Sequence, residues 1–263
     1  MAVYTPLRNS LAIQARVVGA LLMREVLTRF GRHNIGFMWL FVEPMIFTLG
    51  VTALWTATKG THGSNLPIVA FCVTGYSSIL IWRNAANHCA KAIQPNLSLL
   101  YHRNVTVIDL FAARLLLEIA GATISLVALI IIFIMTGWMK MPVDILKMAG
   151  AWLLLAWFAV ALGLIVGAFT ERSEMFARVW QTISYLSFPL SGAMFMVDWL
   201  PKAAQEFVLW VPMVHGVEML RDGYFGSATR THYSVSYFAV VNLVMLLVGL
   251  LLVNRAKHLV GSE

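Results

Sequence analysis

Glu43 is the residue of this chain best placed for chemistry, because it is an ionisable side chain inside a long apolar stretch. Pro44 follows it directly. An ionisable group at such a position is costly and is typically functional, and a proline bends a helix by removing a backbone hydrogen bond. The pair therefore predicts a polar, bent position that lines or gates a path. The alternative is that Glu43 pairs with Arg178 or Gln181 and only fixes helix packing.

Aromatic residues on two apolar stretches are a second candidate for ligand binding. They are Trp39, Phe41 and Phe47 on the first stretch and Trp180, Tyr185 and Phe188 on a later one. A pyranose ring packs its axial C–H groups against an aromatic face, so these side chains would suit a sugar ligand. Aromatic residues in membrane helices also serve as core or interface residues, and this alternative stays open.

Motifs for catalysis or nucleotide binding are missing from the sequence. It contains no G-x-x-x-x-G-K-[ST], no H-E-x-x-H and no G-x-S-x-G, and its seven histidines are scattered. The first motif would cradle phosphates, the second would bind zinc and the third would present a nucleophilic serine. We therefore expect no enzyme activity, no metal and no cofactor in this chain.

The composition explains where these residues must lie. Apolar residues make up 60% of the 263 residues and charged residues 12%, against about 45–50% and about 25% in soluble proteins. Such a chain cannot cover a water-soluble surface, so the sequence predicts an all-α integral membrane protein. The net charge of +7 is distributed between apolar runs, which indicates the positive-inside bias of a membrane protein rather than nucleic-acid binding.

Six stretches approach the roughly 20 apolar residues that a helix needs to cross a bilayer. The predicted spans are residues 36–57, 66–82, 119–136, 148–169, 175–197 and 235–253. With the N-terminus inside, 13 of the 19 lysines and arginines lie on the cytoplasmic side, so both termini are predicted to be cytoplasmic. No internal repeat is visible.

Two further segments are apolar but are not predicted to cross the membrane. Residues 1–32 are predicted to form an amphipathic helix in the cytoplasmic headgroup layer, with a solvated helix as the alternative. Residues 199–226 are predicted to form two short helices broken at Pro212. Because each helix is too short to cross, a re-entrant hairpin in the outer leaflet is expected, or else a loop lying flat on the membrane. The hairpin residues singled out are Pro201, Pro212, His215, Glu218 and Arg221.

Two motifs resemble those of ABC-2 type polysaccharide export permeases, in particular the capsule (polysialic-acid-type) branch. The first runs from Arg29-Phe-Gly-Arg32 through Ile35-Gly36-Phe-Met-Trp39 to Glu43-Pro44. The second begins at Leu200-Pro201 and continues from Val211-Pro212 to Gly226, with His215, Glu218 and Arg221 at the family's positions. Val211 stands where many relatives have asparagine. The resemblance extends over essentially the whole chain.

The resemblance implies a homodimeric permease joined by a separate nucleotide-binding subunit, which supplies ATP and Mg²⁺. It implies that the first and fifth spans line the path of a lipid-linked anionic polysaccharide, with Trp39, Glu43, Trp180, Tyr185 and Phe188 facing it. It also implies a cytoplasmic mouth and a coupling surface for the ATPase. The mouth residues are Arg29, Arg32 and His33, and the coupling residues are Lys91, Asn96, Tyr101, Arg103, Glu171 and Glu174.

The protein is also expected in the bacterial inner membrane, in contact with membrane lipid. Its further expected partners are periplasmic and outer-membrane export components, and no nucleic-acid partner is expected. Three alternatives remain. An ABC-2 permease could carry O-antigen, teichoic acid or a small hydrophobic compound instead. A membrane enzyme acting on lipid-linked sugars would need clustered carboxylates, but those of this chain are dispersed. A secondary transporter would need repeat symmetry and paired intramembrane carboxylates, neither of which is visible.

Overall fold

The computed structural model describes residues 7–30, 34–58, 66–90, 92–96, 100 and 105–260. These residues form helices joined by turns, without a β-strand in the ranges just given, which confirms the predicted all-α class. The helices are α1 (Leu7–Phe30), α2 (Asn34–Thr58), α3 (Ile68–Cys89), α4 (Val107–Met135), α5 (Ile145–Arg172), α6 (Glu174–Leu190), α7 (Lys202–Val208), α8 (Pro212–Phe225) and α9 (Val235–Val260).

Four of the described helices are long and apolar enough to cross a membrane. They are α3, α4, α5 and the part of α9 from Val235 to Arg255. α2 has 25 residues, whereas α6 has only 17. α4 begins before the predicted span 119–136 and ends with it, whereas α5 extends beyond the predicted span 148–169 at both ends.

Local hydrogen bonds explain where several helices begin. The Asp144 carboxylate accepts the Lys147 backbone N–H at 2.8 Å at the start of α5, and the Ser173 hydroxyl accepts the Phe176 N–H at the start of α6. At the start of α4, the Asp109 carboxylate accepts the Thr106 backbone N–H at 2.8 Å. These side chains satisfy first-turn N–H groups that have no partner within the helix.

α3 is the central helix of the molecule. Every residue from Val69 to Trp82 is buried, and α2, α4, α5 and α8 pack around it. Its Ile68 end lies near α8 and the turn that follows α6, and its Cys89 end lies near α1, so we call the two ends of the bundle the hairpin end and the α1 end.

α6 ends at Leu190 and is therefore shorter than the predicted span 175–197. Ser191 caps the helix, and Gly192 adopts a φ of +82°. This left-handed conformation favours glycine and ends a right-handed helix. Residues 191–196 therefore form a turn rather than the last turns of a span.

Candidate functional site

α6 is joined to α3 by hydrogen bonds between residues spaced four apart on each helix. The Trp180 indole N–H donates to the Asn87 side-chain oxygen at 2.9 Å, and the Arg83 Nε donates to the Ser184 hydroxyl at 3.3 Å. Residues four apart lie on one helix face, so the antiparallel helices meet along a single line. We call Arg83, Asn87, Trp180 and Ser184 the α3–α6 joint.

An aromatic cluster continues this line toward the hairpin end. The Tyr76 ring lies 5.6 Å from that of Phe188 and 6.1 Å from that of Phe47, between ring centroids. The rings of Phe47 and Phe188 meet edge to face at 6.3 Å. Such pairs add about 0.5–1.5 kcal/mol beyond area burial, so the cluster holds α2, α3 and α6 together at this level.

α2 and α6 also carry a large exposed apolar surface. Its members are Met38, Trp39, Ile46, Phe47, Leu49 and Leu54 of α2 and Met175, Val179, Ile183, Tyr185, Leu186 and Leu190 of α6. We call it the α2/α6 surface. An apolar patch of this extent on a single chain indicates contact with lipid, with another subunit or with a ligand.

The structure separates the predicted path residues into two groups. Trp39, Glu43 and Tyr185 are exposed, and Phe188 is half-buried in the aromatic cluster. Trp180 is only 7% exposed and points into the joint with Asn87. Trp180 is therefore buried within the single chain, and its role in the path stays a prediction.

Glu43 is the ionisable residue on the exposed side of α2. No residue in the described ranges forms an ion pair or hydrogen bond with it, and Arg178 and Gln181, its predicted partners, are exposed on α6. The neighbouring Pro44 is buried, and its carbonyl accepts a hydrogen bond from the Thr48 hydroxyl at 3.0 Å. The predicted packing role of Glu43 thus lacks a partner in this part of the chain.

A polar network ties α1 to the α1 end of the bundle. The Glu25 carboxylate lies 3.1 Å from the Arg114 Nε, and an Nη of Arg114 donates to the His88 carbonyl at 2.6 Å. His88 Nδ1 in turn lies 2.9 Å from the buried Glu118 carboxylate. The predicted interfacial helix is therefore bound to α3 and α4 by one side.

The predicted coupling residues are only partly described. Asn96 is buried and accepts a hydrogen bond from Arg24 at 2.7 Å, which ties residues 92–96 to α1. Glu171 is half-buried near the end of α5. Several predicted mouth and coupling residues lie outside the described ranges, or their side chains do. They are Arg29, Arg32, His33, Lys91, Tyr101, Arg103 and Glu174.

The hairpin end is organised by Arg221, which is fully buried. Its two Nη groups donate to the carbonyls of Gly192 and Phe195 at 2.6 Å each and of Ala193 at 2.7 Å. Its guanidinium lies 4.0 Å above the Phe71 ring. Three carbonyls and an aromatic face replace water around this charge, so Arg221 fixes the turn that follows α6.

Glu218 and His215 lie three and six residues before Arg221 and fasten α8 to other loops. The Glu218 carboxylate accepts the backbone N–H groups of Val197 at 3.3 Å and of His232 at 3.1 Å. His215 Nδ1 accepts the Ser234 N–H at 3.0 Å, so its Nε2 carries the proton that is donated to the Leu209 carbonyl at 2.8 Å. Pro212 begins α8, and Pro201 is exposed directly before α7.

Burial lowers the pKa of His215, and the hydrogen bond to the Leu209 carbonyl offsets only part of this effect. The imidazole is therefore held neutral, in agreement with its acceptance of a backbone N–H. The three motif residues of α8 thus contact loops of the same chain. Within the described ranges, no group of three His, Cys, Asp or Glu side chains is arranged to hold a metal ion.

The sequence is similar to a known family and to named export proteins. A family model described as "ABC-2 type transporter" matches residues 16–225. The capsule polysaccharide export inner-membrane protein CtrC of Neisseria meningitidis serogroup A is 51% identical over 95% of each chain, and BexB of Haemophilus influenzae, with the same description, is 47% identical over 95% of each. The polysialic acid transport protein KpsM of Escherichia coli is 29% identical over 95% of this chain and 97% of its own.

Proposed function

The chain belongs to the ABC-2 type transporter family, and we propose that it is the permease subunit of an ATP-driven exporter that moves capsular polysaccharide across the bacterial inner membrane. The observation that carries the proposal is the 47–51% identity to capsule polysaccharide export proteins over 95% of the chain. The four long apolar helices support a multi-pass membrane protein. Its role is transport rather than catalysis.

We infer six spans, formed by α2, α3, α4, α5, α6 and α9, with both termini in the cytoplasm. The 17 residues of α6 extend about 25 Å, which nearly matches a hydrocarbon core of about 30 Å. α7 and α8 are shorter, and α8 is buried against protein, with Glu218 and the Nη groups of Arg221 hydrogen-bonded to other segments of the chain. This is the condition under which non-spanning helices enter a membrane, so it supports a re-entrant hairpin.

The permease acts as a homodimer, and the α2/α6 surface lines the path between the two copies. The side chains of this surface are exposed in the single chain, as expected of helices that face a partner and a cargo. Glu43, Trp39 and Tyr185 lie on it. The cargo is a lipid-linked anionic polysaccharide, which Arg29, Arg32 and His33 attract at the cytoplasmic mouth.

A separate subunit binds ATP and Mg²⁺ and docks on residues 91–104 and 171–178. Movement there reaches the path through α3, because residues 92–96 follow α3 directly and the α3–α6 joint lies on its last two turns. A shift of the Cys89 end of α3 would therefore pull α6 with it. On the other side of the membrane, the polymer passes to periplasmic and outer-membrane export components.

The proposal is tested by deleting the chain from its native cells and measuring polymer inside and on the surface. Surface capsule should disappear while polymer accumulates in the cytoplasm, and re-expression should restore export. Purification in mild detergent should yield an ATP-binding subunit at equal stoichiometry. Normal surface capsule in the deletion strain, or a chain that repeatedly purifies alone, would overturn the proposal.

A further inference from the structure

Arg83 is a charged residue within a membrane-crossing helix, and no motif of the sequence points to it. It lies six residues before the end of α3, about 9 Å from that end along the helix axis. Its side chain is half-buried and turns toward α6. The guanidinium carbon lies 4.9 Å from the centroid of the Tyr185 ring and 6.0 Å from that of Phe188.

The charge of Arg83 has no counter-ion among the described residues. No carboxylate there lies within 4 Å, and only the Nε of the guanidinium donates a hydrogen bond, to the Ser184 hydroxyl. Both Nη groups are left without an acceptor in this part of the chain. This contrasts with Arg221, whose Nη groups donate to three carbonyls. A charge that is partly buried beside aromatic rings is usually paired, so Arg83 is set up to accept an anion.

The surroundings of Arg83 fit a sugar that carries the anion. The planar guanidinium fork binds carboxylates and phosphates through two parallel hydrogen bonds. Tyr185, next to it, is 58% exposed, so part of its ring is open for a sugar ring to pack against. Ser184 and the half-buried Phe188 both contact Arg83, and Tyr185 belongs to the α2/α6 surface.

We propose that Arg83 and Tyr185 form a binding element for an acidic sugar, with Arg83 holding its carboxylate or phosphate and Tyr185 contacting its ring. The inference rests on the proposed function, because it places this element on the export path, and it adds selectivity for acidic polymers. The competing account is that Arg83 only fastens α6 through Ser184.

The test is direct binding to the complete complex of this chain and its copurifying ATP-binding subunit, in nanodiscs of zwitterionic lipid. The probes are fluorescently labelled oligosialic acid, which is acidic, and labelled maltohexaose, which is neutral. The wild-type complex should bind the acidic probe more tightly, and high salt should weaken that binding. Arg83→Gln should lower the affinity for oligosialic acid about tenfold or more and leave maltohexaose unchanged.

Matched variants separate binding from packing. Arg83→Lys keeps the charge but loses the fork, so it should lie between the wild type and Arg83→Gln. Ser184→Ala removes the link to α6 and should retain the preference for the acidic probe. Arg230→Gln removes the same charge from an exposed position between α8 and α9 and should bind as the wild type does.

Several results would overturn the proposal. They are unchanged binding in Arg83→Gln, an equal loss for acidic and neutral probes, and no preference for the acidic probe in the wild type. Nanodiscs containing phosphatidylglycerol provide a further arm, and an effect of Arg83→Gln on this lipid alone would assign the anion to a headgroup and reject the sugar. Capsule export by the wild-type chain in cells is measured independently, so failure here leaves the test of the proposed function intact.

Discussion

α6 and α8 are separated along the chain only by the short α7, and both mix aromatic, charged and apolar residues, but they bury very different shares of their side chains. Eleven of the 14 residues of α8 are buried, whereas Trp180 and Ser184 are the buried ones among the described side chains of α6. α8 therefore completes its contacts within one chain. α6 keeps most of its surface for something outside the chain.

The difference teaches how to interpret the two motifs of the sequence. His215, Glu218 and Arg221 form a recognisable pattern, yet each is hydrogen-bonded to loops of the same chain. Their physical role is to hold the hairpin and the turn after α6 in place. The residues of α2 and α6 that remain exposed, Glu43 and Tyr185 among them, lack such contacts, so we expect their loss to change export rather than folding.

The largest expected effect is that of Arg221→Ala, which tests the stabilising role of α8. The change leaves the carbonyls of Gly192, Ala193 and Phe195 without their donor in a buried site. We expect the protein to lose at least about 3 kcal/mol of stability and to be depleted from the membrane. Protein level in membranes and the Tm of the detergent-solubilised chain measure this effect.

The control for that change is Arg230→Ala, which removes an exposed arginine from the segment between α8 and α9 and should leave both readings unchanged. Wild-type protein level and Tm in Arg221→Ala, together with lost export, would move Arg221 from the stabilising group to the transport group and break the contrast between α8 and α6.

The next effect is that of Glu43→Gln, which should abolish export while dimer assembly and protein level stay normal. The substitution keeps size and removes charge at an exposed position without a described partner, so folding has little to lose. Surface capsule and crosslinked dimer are measured in the same cells. Glu206→Gln, an equivalent change on the exposed side of α7, is the control, and normal surface capsule in Glu43→Gln would reject the lining role.

The hairpin region also shows how much of the structure could be predicted from the sequence. The prolines of an apolar segment were sufficient to predict two short helices around Pro212, which the structure forms at 202–208 and 212–225. The partners of Arg221 could not be predicted, because its acceptors are carbonyls of a turn 26 to 29 residues away. Every residue type carries a backbone carbonyl, so the residue types of that turn do not indicate that it accepts these hydrogen bonds.

α6 shows the opposite difficulty. Its aromatic residues occupy both sides of the helix, so the sequence alone could not separate the buried Trp180 from the exposed Tyr185. Arg83 was counted only toward the positive-inside bias. The four-residue spacing of Asn87 and Arg83, matched by Trp180 and Ser184, becomes informative only when the antiparallel register of α3 and α6 is known.

A smaller effect is expected from the joint that attaches α6 to α3. Trp180→Phe removes the hydrogen bond to Asn87 but keeps most of the ring, and it should lower stability by about 1 kcal/mol. Asn87→Ala should cost a similar amount, and the double variant should cost less than the sum of the two. Strict additivity of the Tm changes would show that this contact does not hold α6.

The smallest effect is a pH dependence that should come from α8 and not from α6. Burial lowers the pKa of His215, so the unfolded chain, with an ordinary histidine pKa of about 6.5, binds a proton more readily than the folded one. The stability that neutral His215 contributes is therefore fully present above that pH and is lost as pH falls below it.

The free energy of unfolding should decline over this range in the wild type and less steeply in His215→Gln. An unchanged slope in His215→Gln would mean that α8 tolerates a charged imidazole and is less tightly closed than its hydrogen bonds indicate.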